Sequence, residues 1–422
     1  MTPVFFPATR RGVNPLRTSE SNQLSTIDLF CGAGGIAEGF RREGFRCLYG
    51  NDVMAEAMQT FAHNHPEVIA DCRPIEDVNA ATIREQLQLA PGELDVLVGG
   101  PPCQGFSINA PDRFLADPRN KLFQHYARFV REFQPKTFVF ENVPGMLSMA
   151  DGKVFQQILS VFGELGYAVT VKILFAAHYG APQERWRLIL LGSKRAEIAH
   201  PIPTHFAKGR ANFRGGATLT FQLDELQRVA LQSAVTVGEA IGDLPPLAIG
   251  EGAEEIRYVR PAKSLFARSI RNADGTTFNH YAAKLAPQNI ERMKHVPPGG
   301  SWRDIPHDLL PAGMQKARKS DHTKRYGRLH PDKLAGTVLT KCDPHWGTVF
   351  LPTQDRALTV REAARFQTFP DHYRFLGSRV SQYEQVGNAV PVVMAAAIAR
   401  AIRAHLSSRT EPSTTESLVA CG

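Results

Sequence analysis

The chain has 422 residues, 43% of them hydrophobic and 21% charged, the composition of an ordinary folded protein with room for two domains. No apolar run approaches the ~18 residues of a membrane span, and the stretch 1–11 lacks the apolar core of a secretory signal. The six cysteines (31, 47, 72, 103, 342, 421) form no C-x-x-C pair and no metal-ligand spacing, so we expect free thiols, no metal and a cytoplasmic setting. Net charge is +8, yet residues 256–333 alone hold 16 Lys/Arg against 6 Asp/Glu. A basic block of this size points to a polyanionic partner, a solvated basic face being the plain alternative.

In chain order, residues 1–22 are polar with three prolines and read as a flexible tail. Strand-like apolar runs follow at 25–30, 45–49, 94–98, 137–140, 167–174 and 188–191. Helical periodicity separates them at 36–42, 54–64, 121–133 and 154–165. Such alternation predicts an α/β fold with a doubly wound, mostly parallel sheet. From about residue 200 the chain turns rich in Pro, Gly and Arg with weak periodicity, predicting a smaller, loop-rich, basic second domain. Helical patterns return at 360–367 and at 391–405, where 392–399 is apolar all round and therefore buried. Residues 407–422 read as a second tail.

Asp28-Leu-Phe-Cys-Gly-Ala-Gly-Gly35 closes the first strand and opens a helix. Glycines there let a ligand approach backbone N–H groups closely. Gly32-x-Gly34-x-x-Ala37 satisfies a dinucleotide fingerprint, and Asp52 follows Gly32 by 20 residues, where an acid can hold ribose hydroxyls. The fingerprint alone does not separate NAD from S-adenosylmethionine. Asp28 would repel a pyrophosphate and suit a cationic ligand, which favours the latter.

Gly99-Gly-Pro-Pro-Cys-Gln-Gly-Phe-Ser107 stands directly after the third strand run. Prolines stiffen the turn, and the carboxyl end of a strand is where an open α/β sheet keeps its ligand crevice. The Cys103 thiol is therefore aimed at a ligand; as a lone residue it would read equally as a small buried hydrophobe. Three further segments belong with it: Glu141-Asn142-Val143, Gln183-Glu-Arg-Trp-Arg187 and Gln385-Val-Gly-Asn-Ala-Val-Pro391.

This ordered set of motifs resembles the C5-cytosine DNA methyltransferases, over roughly residues 25–195 and 325–405. The resemblance implies a Rossmann-like, S-adenosylmethionine-dependent methyltransferase fold. Residues 23–199 plus 380–406 would form the catalytic domain and 200–379 the target-recognition domain. It also implies that a cytosine is flipped out of duplex DNA. Cys103 would add to C6 as a thiolate, and Glu141, with a raised pKa, would hold the N3 and amine edge. Arg185 would hold O2, with Arg187 in support. Asp28, Phe30, Gly32, Gly34, Asp52, Val53, Asp71, Pro101, Leu122 and Asn388 would surround S-adenosylmethionine. Val53 stands where the family often has a larger adenine-stacking side chain.

Gln104, Ser107, Arg325, Arg328 and Lys341 are the candidate DNA contacts, more often to phosphate than to base. The expected partners are double-stranded DNA and a restriction endonuclease of the same site, with the protein a monomer on the bacterial nucleoid. A transfer-RNA cytosine methyltransferase on the same motifs is the alternative. A recognition region of about 175 residues speaks against it, as Cys103 does against an exocyclic-amine methyltransferase.

Overall fold

In the computed structural model, the described residues are 4–5, 23–102, 121–209, 229–318 and 324–408. The first strand run becomes β2 (Ser25–Leu29), preceded by a two-residue β1 (Val4–Phe5) and followed by α1 (Gly35–Arg42). Then come β3 (Arg46–Asn51), α2 (Ala55–Asn64), β4 (Ile69–Asp71), α3 (Ala80–Gln86) and β5 (Val96–Gly99). They are followed by α4 (Lys121–Phe133), β6 (Thr137–Asn142), α5 (Lys153–Glu164), β7 (Ala168–Phe175) and β8 (Trp186–Ser193). One sheet takes all eight strands in the order β1-β4-β3-β2-β5-β6-β8-β7.

Strand side chains alternate between two faces, and here each face feeds its own core. Leu97, Phe138, Phe140, Leu188 and Leu190 point into one cluster. Their neighbours Val96, Val98, Val139, Ile189 and Leu191 point into the other. Helices cover both faces, which is why the strands read as continuous apolar runs. On α4, Tyr126, Phe129, Val130 and Phe133 are all buried, the i, i+3, i+4, i+7 stripe of an amphipathic helix.

Three features of this mostly parallel sheet were not marked by the sequence, and each has a clear cause. β4 and α3 were not anticipated, since three strand residues and one helical turn or two give almost no period to read. β1 pairs antiparallel with β4 (Val4 with Asp71, Phe5 with Ala70), so the expected N-terminal tail contains an edge strand. More consequential is β8. It runs antiparallel to both β6 and β7, because ten residues without a crossover helix join β7 to β8, and a parallel return needs a longer connection.

Beyond Ser193 lie short pairs: β9 (His205–Phe206) with β10 (Gln232–Ser233), β11 (Gly252–Arg257) with β12 (Thr276–Tyr281), and β13 (Gly327–Arg328) with β14 (Thr348–Phe350). Between them are α6 (Val237–Ile241), α7 (Leu265–Ile270), α8 (Pro287–Lys294) and α9 (Ala312–Gln315). The chain then returns through α10 (Val360–Phe366), α11 (Arg379–Asn388) and α12 (Val392–Ser407).

By length and composition the span Arg379–Ser407 is apolar enough to cross a membrane, contrary to the reading of the apolar runs above. In the fold, α12 is a core helix: Ile398 and Ile402 are buried beside Phe40 of α1. A Cβ on Gly39 would sit 2.5 Å from that of Ala395, so the two helices touch backbone to backbone. Ala33 packs with Val360, Ala364, Phe369, Tyr373 and Val392. Residues on both sides of position 379 thus share one cluster with Ala33, while Phe366 of α10 packs with Val237, Ala240 and Leu244.

A buried ionic network joins α10 to the basic region. Arg365 reaches Asp243 (2.5 Å) and Asp371 (2.5 Å), and Arg271 pairs with Asp243 (2.6 Å). Arg356 pairs with Glu362 (2.7 Å) in the capping box of α10. Burial pushes the Asp371 and Glu362 carboxyls up, but Arg365 and Arg356 more than offset it and hold both below the usual range. Their stabilisation is therefore complete above the ordinary carboxylate pKa of about 4 and is lost as pH falls through the lowered folded values. Arg365→Ala removes the shared partner of two buried carboxylates, leaving Asp243 only Arg271 and Asp371 only Arg361 and Tyr258, and is expected to cost about 3 kcal/mol. Urea denaturation at pH 7 checks the loss; at pH 3 the difference between variant and wild type should shrink.

Candidate active site

The strand order reverses direction between β2 and β5, and ligands of open α/β sheets bind outside the carboxyl ends at such a point. The chain leaves β2 through Phe30 (φ +57°), Gly32 (φ +53°) and Gly34 (φ +88°), the last capping α1. A side chain on Gly34 would strike the Tyr373 hydroxyl at 2.7 Å, whereas one on Gly32 would meet nothing within 4 Å. Gly34 is thus required by packing, and Gly32 presents bare backbone to the open cleft. Asp52, at the end of β3, accepts N–H bonds from Gly32 and Met54, both 2.9 Å, and so fixes the loop.

Asp28 lies beneath this loop, buried, with neither carboxylate oxygen bonded among the described residues. Burial pushes its pKa well up, with Asp52 acting in the same direction and the nearby Ala37 amide opposing without completing a bond. A buried carboxylate lacking a partner fits a ligand that brings positive charge, as the ammonium and sulfonium of S-adenosylmethionine do, and is ill suited to a pyrophosphate. Phe30 and Leu122 pack on the rim of the core beneath, while Val53 is an exposed apolar side chain. These residues fit the cofactor. Asp71 is placed differently from expectation. It is fully buried and spends its carboxylate on Tyr49 (2.7 Å) and Arg73 (2.6 Å), so its side chain offers no surface to a ligand.

At the end of β5 the chain turns through Gly100 and Pro101. A Cβ on Gly100 would lie 2.7 Å from Glu141 Oε2, so the glycine lets the Glu141 carboxylate sit on the turn. Asn142 donates to the Pro101 carbonyl (3.0 Å) and pins the turn from the neighbouring strand. Pro101 is buried and Pro102 exposed. Cys103, Gln104 and Ser107 lie outside the described residues.

Because β8 is antiparallel, its first residues meet the last residues of β6: Leu188 pairs with Asn142 and Ile189 with Glu141. Arg187 Nε consequently reaches Glu141 Oε1 at 2.6 Å. Arg185 points elsewhere. It is 2% exposed and donates to the carbonyls of Val338 (3.1 Å) and Gly387 (2.7 Å). Burial, with help from Arg187 and against Glu141, drives its pKa well down. The placement of the two arginines is the reverse of that expected: Arg187 meets Glu141, and Arg185 is spent on the buried carbonyls of Val338 and Gly387. Their i, i+2 spacing was legible; the exit of Arg185 from the strand before β8 was not.

Asn388 is exposed at the end of α11. Among the expected DNA contacts, Lys341 is exposed and Arg325 partly so. Arg328 is not available. Buried, it donates to the carbonyls of Val296, Met293 and Leu351 and pairs with Asp355, so it is a brace inside the recognition region. Gln183, unremarked in the sequence beyond its motif, is fully buried and donates to the Phe366 carbonyl (2.7 Å) while accepting from Val338 N–H (3.2 Å).

A mostly parallel sheet, a glycine loop closed by Asp52 and an unpartnered buried acid beside it suit an adenosine-bearing, cationic cofactor. The chain belongs to the C-5 cytosine-specific DNA methylases, whose family model matches residues 24–404. It is 36% identical to the Type II methyltransferase M.AgeI of Thalassovita gelatinovora, over 91% of this chain and 100% of that protein. To M1.HphI of Haemophilus parahaemolyticus it is 35% identical, over 90% and 86%. A DNA modification methyltransferase encoded within an E. coli prophage has the same fold, with a TM-score of 0.68 at 24% identity over 92% of this chain and 100% of that one. The transfer-RNA alternative has weaker support than a DNA enzyme.

The two arginines are separable by experiment. Arg187→Met should lower kcat about 100-fold or more with S-adenosylmethionine binding and thermal stability kept. Arg185→Met should instead lower the melting temperature, since it leaves two buried carbonyls without donors. Thermal denaturation and single-turnover methylation of the two variants check this.

Proposed function

We propose that the protein methylates C5 of a cytosine flipped out of double-stranded DNA, within a short specific sequence, in a bacterial restriction-modification setting or as an orphan methylase. The observation that carries this reading is the Glu141–Arg187 ion pair (2.6 Å) set over the Gly100–Pro101 turn, which ends two residues of chain before Cys103. It puts an acid and a fixed cation together at the sheet edge to which the nucleophile is tethered.

In this reading Cys103 Sγ, as thiolate, bonds to C6 of cytosine. The C5–C6 double bond opens, and negative charge spreads through N3 and O2. Glu141 faces the N3 and amine edge, and Arg187 offers a positive charge where electron density builds at O2. Asp28, Phe30, Gly32, Asp52, Pro101 and Leu122 would hold S-adenosylmethionine, whose sulfonium would supply the methyl group to C5 and leave as S-adenosylhomocysteine. Loss of the C5 proton and expulsion of the Cys103 thiolate restore the double bond and free the enzyme. Asn142 acts at one remove by fixing Pro101.

The basic region within 200–379 would face the other side of the duplex, and its charge supports a phosphate-tracking role. The Type II names of the relatives M.AgeI and M1.HphI support a cognate recognition site and a companion endonuclease. We take the protein to be a cytoplasmic monomer acting on nucleoid DNA.

Duplex DNA carrying 5-fluorocytosine blocks proton loss at C5, so with S-adenosylmethionine it should leave the protein covalently attached. A shifted band in denaturing gels is expected for wild type and none for Cys103→Ala. No adduct at a site that bisulfite sequencing shows to be methylated would contradict the mechanism. DNA affinity should also fall steeply between about 50 and 200 mM salt; a flat response would contradict the basic region as the DNA face.

A further inference from the structure

Methyl transfer as derived above makes no use of Trp346. Its indole is 57% exposed, and Leu339, itself 41% exposed, lies beside it: a Cβ on Gly347 would come 2.8 Å from Leu339 Cδ1. Single apolar residues scattered on a surface need no explanation, but two adjoining ones at a cavity do. Trp346 and Leu339 line a cavity of about 180 Å³ together with Phe366, Leu358, Lys324 and Lys341. Both lysines are exposed.

The indole is held in place by its loop. Trp346 N–H donates to Asp343 O (3.0 Å), Tyr326 N–H to Pro344 O (2.6 Å) and Gly327 N–H to Gly347 O (3.2 Å). His345 N–H donates to Asp343 Oδ1 (2.9 Å), and the His345 ring meets the indole edge-on with centroids 4.9 Å apart. The Arg325 guanidinium lies 4.8 Å from the indole centroid. A rigid aromatic held this way loses little entropy when something covers it.

A flat aromatic face, a cation against it and two flanking lysines match the chemistry of nucleic acid, where a base stacks and phosphates pair. The surplus of +10 over residues 256–333 adds charge complementarity. Pockets for drug-sized ligands run from about 300 to 1,000 Å³, so this cavity suits a single ring and not a whole nucleotide.

The same wall reaches the reactive edge. The Val338 carbonyl accepts from Arg185 (3.1 Å), the Thr337 hydroxyl donates to the Glu184 carbonyl, and Lys324 pairs with Glu184 (3.2 Å). A Cβ on Gly387 would lie 2.4 Å from the Leu339 carbonyl oxygen. A group seated against Trp346 therefore bears on the chain that leads straight into β8 and Arg187.

Resting on the proposed DNA methylation, we propose that Trp346 is a specificity-determining contact. Backed by Arg325 and flanked by Lys324 and Lys341, it seats one base of the substrate duplex beside the target cytosine. The test compares full-length wild type and Trp346→Ala by bisulfite sequencing of plasmid methylated in cells and by steady-state kinetics. Trp346→Ala should raise KM for DNA about tenfold or more and loosen base preference at one position near the methylated cytosine. S-adenosylmethionine binding should be unchanged, and Trp346→Phe should stay close to wild type. An unchanged sequence motif with KM within about twofold of wild type overturns the assignment, as does loosening equal at every position, which marks a phosphate contact. If Trp346→Ala misfolds and loses S-adenosylmethionine binding, the double variant Arg325→Gln/Lys341→Gln decides. Base preference loosened at one position near the methylated cytosine supports the site; an unchanged motif, or loosening equal at every position, overturns it. A wild-type protein that methylates no cytosine defeats the functional reading itself, not the role of Trp346.

Discussion

The reactive edge exists because one strand runs the wrong way. In a wholly parallel sheet the start of β8 would lie at the edge opposite the glycine loop, and Arg187 would face away from the cleft. The short β7–β8 connection reverses β8 between β6 and β7, so the residues that begin β8 meet those that end β6. The Arg187–Glu141 contact follows from that register alone. The other members of the site arrive by the ordinary rule for parallel strands: Asp28 and the glycine loop leave β2, Asp52 leaves β3, and the Pro101 turn leaves β5. Five strands thus converge on one edge with no long-range loop needed to assemble them.

The same reversal explains how the basic region is tied to the chemistry. Gln183 and Arg185 precede β8 and are buried against 335–338, Phe366 and Gly387. They hold the recognition region to the catalytic lobe at the point where Arg187 emerges. Arg365 adds a second tie through Asp243 and Asp371. If DNA lies on the basic lobe as proposed, these ties place that surface directly against the segment that leads into β8.

Much of the catalytic lobe was legible in the sequence, and for a physical reason. Strands buried on both faces are unbroken apolar runs, and helices such as α4 carry a 3.6-residue stripe, so both periods stand out. Strand direction does not, because antiparallel and parallel strands share the same period, so nothing in the sequence marks which strand of a mostly parallel sheet reverses. The motif residues were legible as a set, but their individual placements were not. Arg185 and Arg187 are alike in type and spacing, and only the sheet register shows which one reaches Glu141. Asp71 read as a cofactor contact from the family resemblance and Arg328 as a DNA contact from its charge; Tyr49 and Arg73 absorb the first, and three backbone carbonyls and Asp355 the second. The basic region has weak periodicity because its core is assembled from many short pieces, among them Met293, Trp302, Met314, Tyr326 and Phe350.

The account stands or falls on Glu141 and Arg187 acting as one unit on the ring. A double-mutant cycle on the single-turnover methylation rate, with Glu141→Gln, Arg187→Met and the pair together, measures that directly. The account predicts strong non-additivity, the double variant being little slower than the worse single one. Losses that simply multiply would show that the two side chains act independently, and would contradict it.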